Sequence, residues 1–403
     1  MAFEVAGAAS PQPAFRFPLV GLADVAVAAV SVGAAGDATR ARQRPRHATP
    51  WRHCGHYPVM KPTDAPRAGS IARAACRLRF AALICLGGSA LAAPSPAPAP
   101  PSEPGVLPVR KLMDTPLRDT SICQGPDGVW YLTGTSAPFW GFNQGIQLWQ
   151  SPDLTNWTAL GFVWHYGASP WHQKYLAAKK PLWAPEVHYL KGTFWLTYSM
   201  PGWDGTAKTS GSGLLRSVTS QPEGPYRDMQ PAARLGDQID ASLFEDDDGT
   251  DYFLWHSGKI ARLKPDLSGL AEPYHWLRTS TSDPNPRHHS SLCAGIFGPG
   301  SFDHIGYEGM YVFKHAGRYY VACAEHFDGR YSCSIASATN LYGPYGPRYE
   351  AIPHAGHNTF FTDRRGQWWS TYFGSDPTAP WQERPGVLPI DFDANGRVRP
   401  RAP

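Results

Sequence analysis

The chain has 403 residues, 42% of them hydrophobic, with 40 Gly, 40 Pro and 15 Trp, enough for one large core or two average domains. Of its 37 Lys and Arg and 33 Asp and Glu, the first hundred residues hold 11 and 4, which leaves 26 against 29 for the remainder. The net charge of +4 is therefore a property of the leader, and the mildly acidic remainder excludes the basic footprint of a nucleic-acid binder.

Residues 1–59 are rich in Ala, Pro and Arg and show no strand pattern. After Met60, Lys61, Arg67, Arg73, Arg77 and Arg79 precede an apolar run from Phe80 to Leu91, and Ala90-Leu91-Ala92 offers a small-x-small cleavage site. This is the layout of a secretory signal peptide over 60–92, and the run is too short to span a bilayer as a mature helix. Met60 is the expected start, with 1–59 a mis-called or disordered extension, and the mature protein is expected to be secreted or periplasmic. Residues 93–109 read as an extended Pro/Ala-rich linker.

From residue 110 a strand–turn–strand pattern recurs five times. Its turns are Asp127-Gly128, Lys191-Gly192, Asp248-Gly249, Ala316-Gly317 and Arg365-Gly366, each followed by an aromatic-rich strand such as Tyr252-Phe253-Leu254-Trp255. Gly accepts a positive φ without steric cost, so each is a hairpin signal with a mechanism. Nothing between them has a long helical period. Five like units without helices predict an all-β fold, a five-bladed β-propeller with four-stranded blades and a central axial channel, over 110–403. Cys323 and Cys333 flank the Asp328-Gly329 turn. They either pair across that hairpin as a disulfide, which an exported location permits, or remain buried thiols. No two cysteines have metal-ligand spacing.

Nine residues before each turn glycine stand Asp119, Trp183, Asp240, Glu308 and His357. Equivalent units place these side chains equivalently, with each first strand lining the axis, so three carboxylates converge at one mouth. Acids near hairpins are usually solvated, and Asp246, Asp247 and Asp248 are read that way. A lone His is usually structural, but the register of His357 with the acids gives it a site role. Glu186 lies six residues before its glycine and is expected off the axis, supporting the site. Gly309 is expected to let the backbone approach a ligand.

Carboxylates sharing a cavity cannot titrate alike: a like charge raises one pKa while hydrogen bonds and cations hold another down. Glycoside hydrolysis needs that division, one protonated acid for the leaving oxygen and one ionised base for water. Phe139, Trp140, Trp183 and Trp203 are candidate flat faces for sugar rings, set against ordinary packing between blades. No phosphate loop, zinc His pair or serine nucleophile elbow is present in the sequence.

Arg118-Asp119-Thr120, Trp183-Ala184-Pro185-Glu186, Ile239-Asp240-Ala241-Ser242-Leu243-Phe244 and Tyr307-Glu308-Gly309 with Lys314 together resemble glycoside hydrolase family 43. Pro usually follows the first and third acids in that family, where this chain has Thr120 and Ala241. The resemblance implies an exo-acting, inverting enzyme that removes arabinofuranose or xylose from plant-wall chains. It implies Asp119 as general base, Glu308 as general acid and Asp240 as the residue that tunes and orients the acid. Phe139, Trp140, Trp183 and Glu186 are expected substrate contacts, and the resemblance adds Arg384, which matches a C-terminal arginine that contacts the substrate in some relatives. His357 matches a histidine that lies, in many relatives, beside a water-coordinated structural calcium in the axial channel, while no cofactor is required for the chemistry. A monomer acting on an oligo- or polysaccharide is expected. The alternatives are a galactose-releasing or endo-arabinan-cleaving enzyme on the same fold, or a propeller that binds carbohydrate without catalysis.

Overall fold

The computed structural model describes residues 107–402. The expected extension over 1–59, the signal peptide over 60–92 and the linker up to residue 106 lie outside the described residues. Five antiparallel sheets follow one another along the chain. Blade 1 contains Leu117–Gln124, Trp130–Ser136, Gly145–Ser151 and Thr158–His165. Blade 2 contains Trp183–Leu190, Thr193–Met200, Gly211–Ser217 and Tyr226–Asp228, and blade 3 Ser242–Glu245, Asp251–Trp255, Lys259–Arg262 and His275–Trp276. Blade 4 contains Glu308–His315, Arg318–Phe327, Arg330–Ala338 and Tyr349–Ile352. Blade 5 takes Phe360–Thr362, Trp368–Phe373 and Pro385–Phe392 from the chain's end, and Arg110–Lys111 from its beginning pairs with the last of these. The start of the domain thus closes the ring, and Leu107 and Val109, at the end of the predicted linker, pack against a core cluster.

The core lies between the blades. Side chains alternate across each strand, so both faces of every sheet are apolar, and the described residues form five buried clusters, one per blade interface. Ile146 of blade 1 shares a cluster with Leu196 of blade 2, and Leu214 of blade 2 shares one with Phe253 of blade 3. Leu254 shares one with Val312 between blades 3 and 4, Phe313 with Leu388 between blades 4 and 5, and Leu132 with Val387 where blades 1 and 5 close. Asp246, read from sequence as a solvated turn residue, also joins blades: its carboxylate accepts from Lys314 Nζ at 2.9 Å and from the Tyr319 hydroxyl at 2.7 Å.

The same alternation rules out the disulfide. Cys323 pairs across the hairpin with Ser334, and Cys333 with Ala324. One residue out of register, the two thiols lie on opposite faces, Cys323 in the cluster between blades 3 and 4 and Cys333 in that between blades 4 and 5. Both are free.

The five turn glycines all have positive φ, between 73° and 79°, but the turns are of two kinds. In blades 2 and 4, Lys191-Gly192 and Ala316-Gly317 are two-residue turns with positive φ at both positions, the conformation that matches strand twist. In blades 1, 3 and 5 the loop closes one residue later, with Gly125 N bonded to Val129 O, Asp246 N to Thr250 O and Asp363 N to Gln367 O. Those turns contain one residue more.

Candidate active site

The extra turn residue changes which side chains are equivalent. At or just before the start of each innermost strand stands one residue of left-handed conformation, within a β-bulge in blades 1, 2 and 4. These residues are Asp119 (φ 49°), Ala184 (44°), Asp240 (64°), Gly309 (62°) and His357 (55°). They stand nine residues before the turn glycine in blades 1, 3 and 5 and eight before it in blades 2 and 4. Trp183 and Glu308, which the uniform count of nine placed with Asp119, instead match Arg118. Arg118, Trp183 and Glu308 pair with Thr135, Ser199 and Ala324 just before each bulge, and Ile239 takes the same place in blade 3 by accepting from His256 N at 2.8 Å. Gly309 has a specific reason to be glycine. A Cβ there would lie 2.8 Å from the His357 ring, so its close approach is to His357 rather than to a ligand.

Both sets of residues line one cavity of about 70 Å³, bounded by Arg118, Asp119, Trp183, Ile239, Asp240, Glu308 and His357, with Thr135, Phe139, Trp140 and Tyr331 added from outer strands and loops. The three predicted acids and the histidine therefore meet. Asp119 Oδ2 accepts from the Thr135 hydroxyl at 2.6 Å, and its Oδ1 lies 3.7 Å from His357 Nδ1. Asp240 Oδ2 accepts from Gly309 N at 3.0 Å and lies 3.9 Å from the same imidazole nitrogen. Glu308 Oε1 accepts from the Tyr331 hydroxyl at 3.0 Å.

This crowding divides the acids. Burial, then the nearby Asp240 charge, pushes Glu308 up to about 8. Burial also lifts Asp240, to about 6, with Asp119 adding to the shift and His357 opposing it. Burial disfavours the His357 cation, but Asp240, Asp119, Glu186 and Glu308 together outweigh that and raise its pKa. Burial and neighbouring charge thus set Glu308 apart as a carboxyl that keeps its proton to higher pH than Asp240 does.

The aromatic wall is partly as expected. Trp183 stacks edge-on against Trp140 at 5.5 Å and donates its indole N–H to Phe139 O at 2.6 Å, while Trp140 is 72% exposed at the rim. Trp203 does not line the cavity; it packs on the cluster between blades 1 and 2, with Lys174 over its ring. Arg384 does not line it either, because its guanidinium turns back to Glu383 O at 3.2 Å. The arginine in the cavity is Arg118, paired with Glu383 Oε1 at 2.7 Å and set over the Phe373 and Trp140 rings. Sequence does signal it, since Arg118 immediately precedes the first acid. Tyr331, the partner of Glu308, carries no such signal. Glu186 is buried outside the cavity lining, accepting from Ser242 Oγ at 2.6 Å and bonded to His188 Nε2 at 2.9 Å. Its charge helps raise the pKa of His357 at the cavity.

A hydrated calcium near His357 would need buried oxygens to receive it and its waters. Thr120 Oγ1 and Asn358 Oδ1, on the residues following Asp119 and His357, are buried without a hydrogen-bond partner, and the buried Glu186 carboxylate is close enough for its charge to act on His357. Hydroxyl, amide and carboxylate oxygens are the donor types a hard cation takes.

The sequence model described as Glycosyl hydrolases family 43 matches residues 112–398. The chain is 26% identical over 275 residues to a xylosidase/arabinosidase 43B of Humicola insolens, covering 62% of this chain and 46% of that protein. It is 29% identical over 162 residues to an extracellular exo-α-(1→5)-L-arabinofuranosidase of Cellvibrio japonicus, covering 36% and 44%. The chain spans about half the length of the curated relatives it matches. Among solved structures, a thermostable family-43 glycoside hydrolase superposes with a TM-score of 0.53 at 24% identity, over 72% of this chain and 94% of that one, a likeness of fold.

Proposed function

The chain belongs to glycoside hydrolase family 43, and from that premise we propose that it is an exported inverting glycosidase that removes a terminal pentose, arabinofuranose or xylose, from plant-wall saccharides. The observation that carries this reading is one small cavity holding a carboxyl kept protonated near neutral pH, Glu308, beside Asp119, whose Oδ2 is fixed by Thr135. Glu308 is the general acid. Tyr331 occupies Oε1, so the proton is carried on Oε2 and passes to the leaving glycosidic oxygen. Asp119 is the general base, with Oδ1 taking a proton from the water that attacks the anomeric carbon on the opposite face. Burial, and then the charge of Asp240, holds the Glu308 pKa up. Arg118, Trp183, Phe139 and Trp140 hold the sugar. A calcium bound near His357 through water would supply positive charge at the base of the cavity, with Glu186, Thr120 and Asn358 as its buried oxygens. Export rests on the 60–92 leader and on the extracellular relatives.

Nitrophenyl arabinofuranoside, xyloside and galactofuranoside report the sugar, and proton NMR during the first turnovers reports the product anomer. Release of the inverted anomer from a pentoside is expected. A retained anomer would overturn the mechanism, and no release from any glycoside or oligosaccharide would leave a binding propeller. A relative named as a β-D-galactofuranosidase is the reason for the third substrate. N-terminal sequencing of the exported protein should find a start near Ala93.

A further inference from the structure

Away from the cavity, the segment joining blades 3 and 4 carries a second cluster. Ligand atoms of His289, Cys293, His304 and Glu325 all lie within 4.8 Å of one another. His304 Nε2 is 3.1 Å from His289 Nδ1 and 2.9 Å from Glu325 Oε2, and Cys293 Sγ is 3.4 Å from Glu325 Oε2. His304 and Glu325 are fully buried and Cys293 nearly so.

The outer nitrogens of the two imidazoles fix their tautomers. His289 Nε2 lies 2.6 Å from Asp283 O, and His304 Nδ1 lies 3.1 Å from Ser301 O. A carbonyl oxygen has no hydrogen to give, so both of these nitrogens are N–H donors. In the neutral rings, the inner nitrogens, His289 Nδ1 and His304 Nε2, are therefore both lone pairs 3.1 Å apart, the first also facing an Arg348 N–H at 2.9 Å and the second facing the Glu325 carboxylate at 2.9 Å, with a thiol alongside. Arg348 serves the His289 nitrogen, which leaves the His304 lone pair against a carboxylate oxygen, an arrangement that a cation at the centre would relieve. Imidazoles tied by their far N–H to backbone carbonyls are the usual outer support of metal ligands.

We propose that these four side chains bind a structural zinc ion. Two imidazoles, one thiolate and one carboxylate suit zinc, and a tetrahedral ion with bonds of roughly 2.0–2.3 Å separates its ligands by roughly 3.3–3.8 Å; here three pairs lie 2.9, 3.1 and 3.4 Å apart and every pair lies within 4.8 Å, so small side-chain shifts would seat the ion. All four positions are protein atoms, so the site is closed and not hydrolytic. Zinc binding displaces the Cys293 thiol proton to solvent. Arg348, 3.0 Å from Glu325 Oε2 and 2.9 Å from His289 Nδ1, then yields the His289 lone pair to the ion and keeps Glu325, Asp283 and His288 O. Charge closes as well: two positive from zinc and one from Arg348 meet one negative each from Cys293, Glu325 and Asp283. Phe297 stacks on His304 at 4.4 Å and Phe302 lies 4.7 Å from His289, flanking the cluster with apolar rings. The ion would pin the 277–307 segment to the blade 4 strand whose Ala324 pairs with Glu308, and so hold the strand that carries the acid.

The test is metal content of the full protein expressed with zinc and dialysed, together with cobalt(II) substitution. We expect one zinc per chain, a lower melting temperature after chelation that added zinc restores, and a thiolate-to-cobalt charge-transfer band. Cys293→Ser should abolish that band and His289→Gln should lower zinc occupancy at least tenfold. Zinc-free protein that melts alike with chelator or zinc would overturn the proposal and leave an imidazolium on His304 as the cation. Zinc retained at full stoichiometry by both variants would overturn it too, by placing the ion elsewhere. If either variant fails to fold, zinc content and the cobalt band of the unaltered protein decide.

Discussion

Replacing Glu308 by Gln tests the site through stability and catalysis at once. The carboxyl has an ordinary value of 4.5 and is lifted to about 8 in the folded protein, first by burial, so its anion is disfavoured there by about 5 kcal/mol. The native state binds this proton more tightly than the unfolded chain, so this group's contribution to stability is complete below pH 4.5. It falls as pH rises and is gone by about pH 8. The amide that replaces the carboxyl is neutral at every pH. Glu308→Gln should therefore match the parent near pH 4 and melt at progressively higher temperature than the parent toward pH 8, by up to about 5 kcal/mol in stability. Its activity should fall roughly 10²–10⁴-fold on oligosaccharides, whose leaving sugar needs a proton, and much less on nitrophenyl glycosides, whose leaving group is already a stable anion. Thermal melts from pH 4 to 8 and paired kinetics read both effects. A variant no more stable than the parent at pH 8, or one that loses both substrates equally, would refute Glu308 as a buried, protonated general acid.

Three further substitutions separate the remaining roles. Asp119→Asn should lower kcat on oligosaccharide and nitrophenyl substrates alike, roughly 10²–10⁴-fold, because water must be activated in either case; near-normal turnover on either would remove it as base. Asp240→Asn takes away a charge that raises Glu308, so the alkaline limb of kcat/KM against pH should move to lower pH, and an unmoved limb would detach Asp240 from the acid. Arg118→Met leaves Glu383 without its 2.7 Å partner. It should raise KM more than it lowers kcat and cost about 1–3 kcal/mol in a denaturant melt, whereas an unchanged KM would exclude Arg118 from the sugar site.

What is legible in the sequence, and what is not, follows from how each feature is encoded. Blade number is legible because turn glycines and alternating strands are local signals. Convergence of Asp119, Asp240 and His357 is legible because three blades share one turn length. Glu308 emerges from the same count for a different reason. Its blade has the shorter turn, so nine residues back reaches the outer ring, where Arg118 and Trp183 also sit. Lys191-Gly192 and Ala316-Gly317 differ from Asp248-Gly249 in turn length, a distinction a uniform count cannot see. Cys323 and Cys333 mislead similarly, since flanking a turn does not fix register, and a slip of one residue sends a side chain to the other face.

The hydrolytic set and the four-residue cluster illustrate the limit from opposite sides. Asp119, Asp240 and His357 are far apart in sequence but occupy one place in a repeated unit, so the repeat reveals them together. His289, Cys293, His304 and Glu325 come from a segment outside the repeat and from the middle of a blade 4 strand. No cysteine pair or His-Glu-x-x-His spacing marks them, and only the register that sets Glu325 facing the 277–307 segment brings the four together. A residue's place in a repeat is readable without coordinates, whereas a contact between an insertion and a blade requires the fold. The 277–307 segment is where this chain's chemistry beyond the propeller repeat is to be sought, because it ends at Tyr307 and hands the chain directly to Glu308.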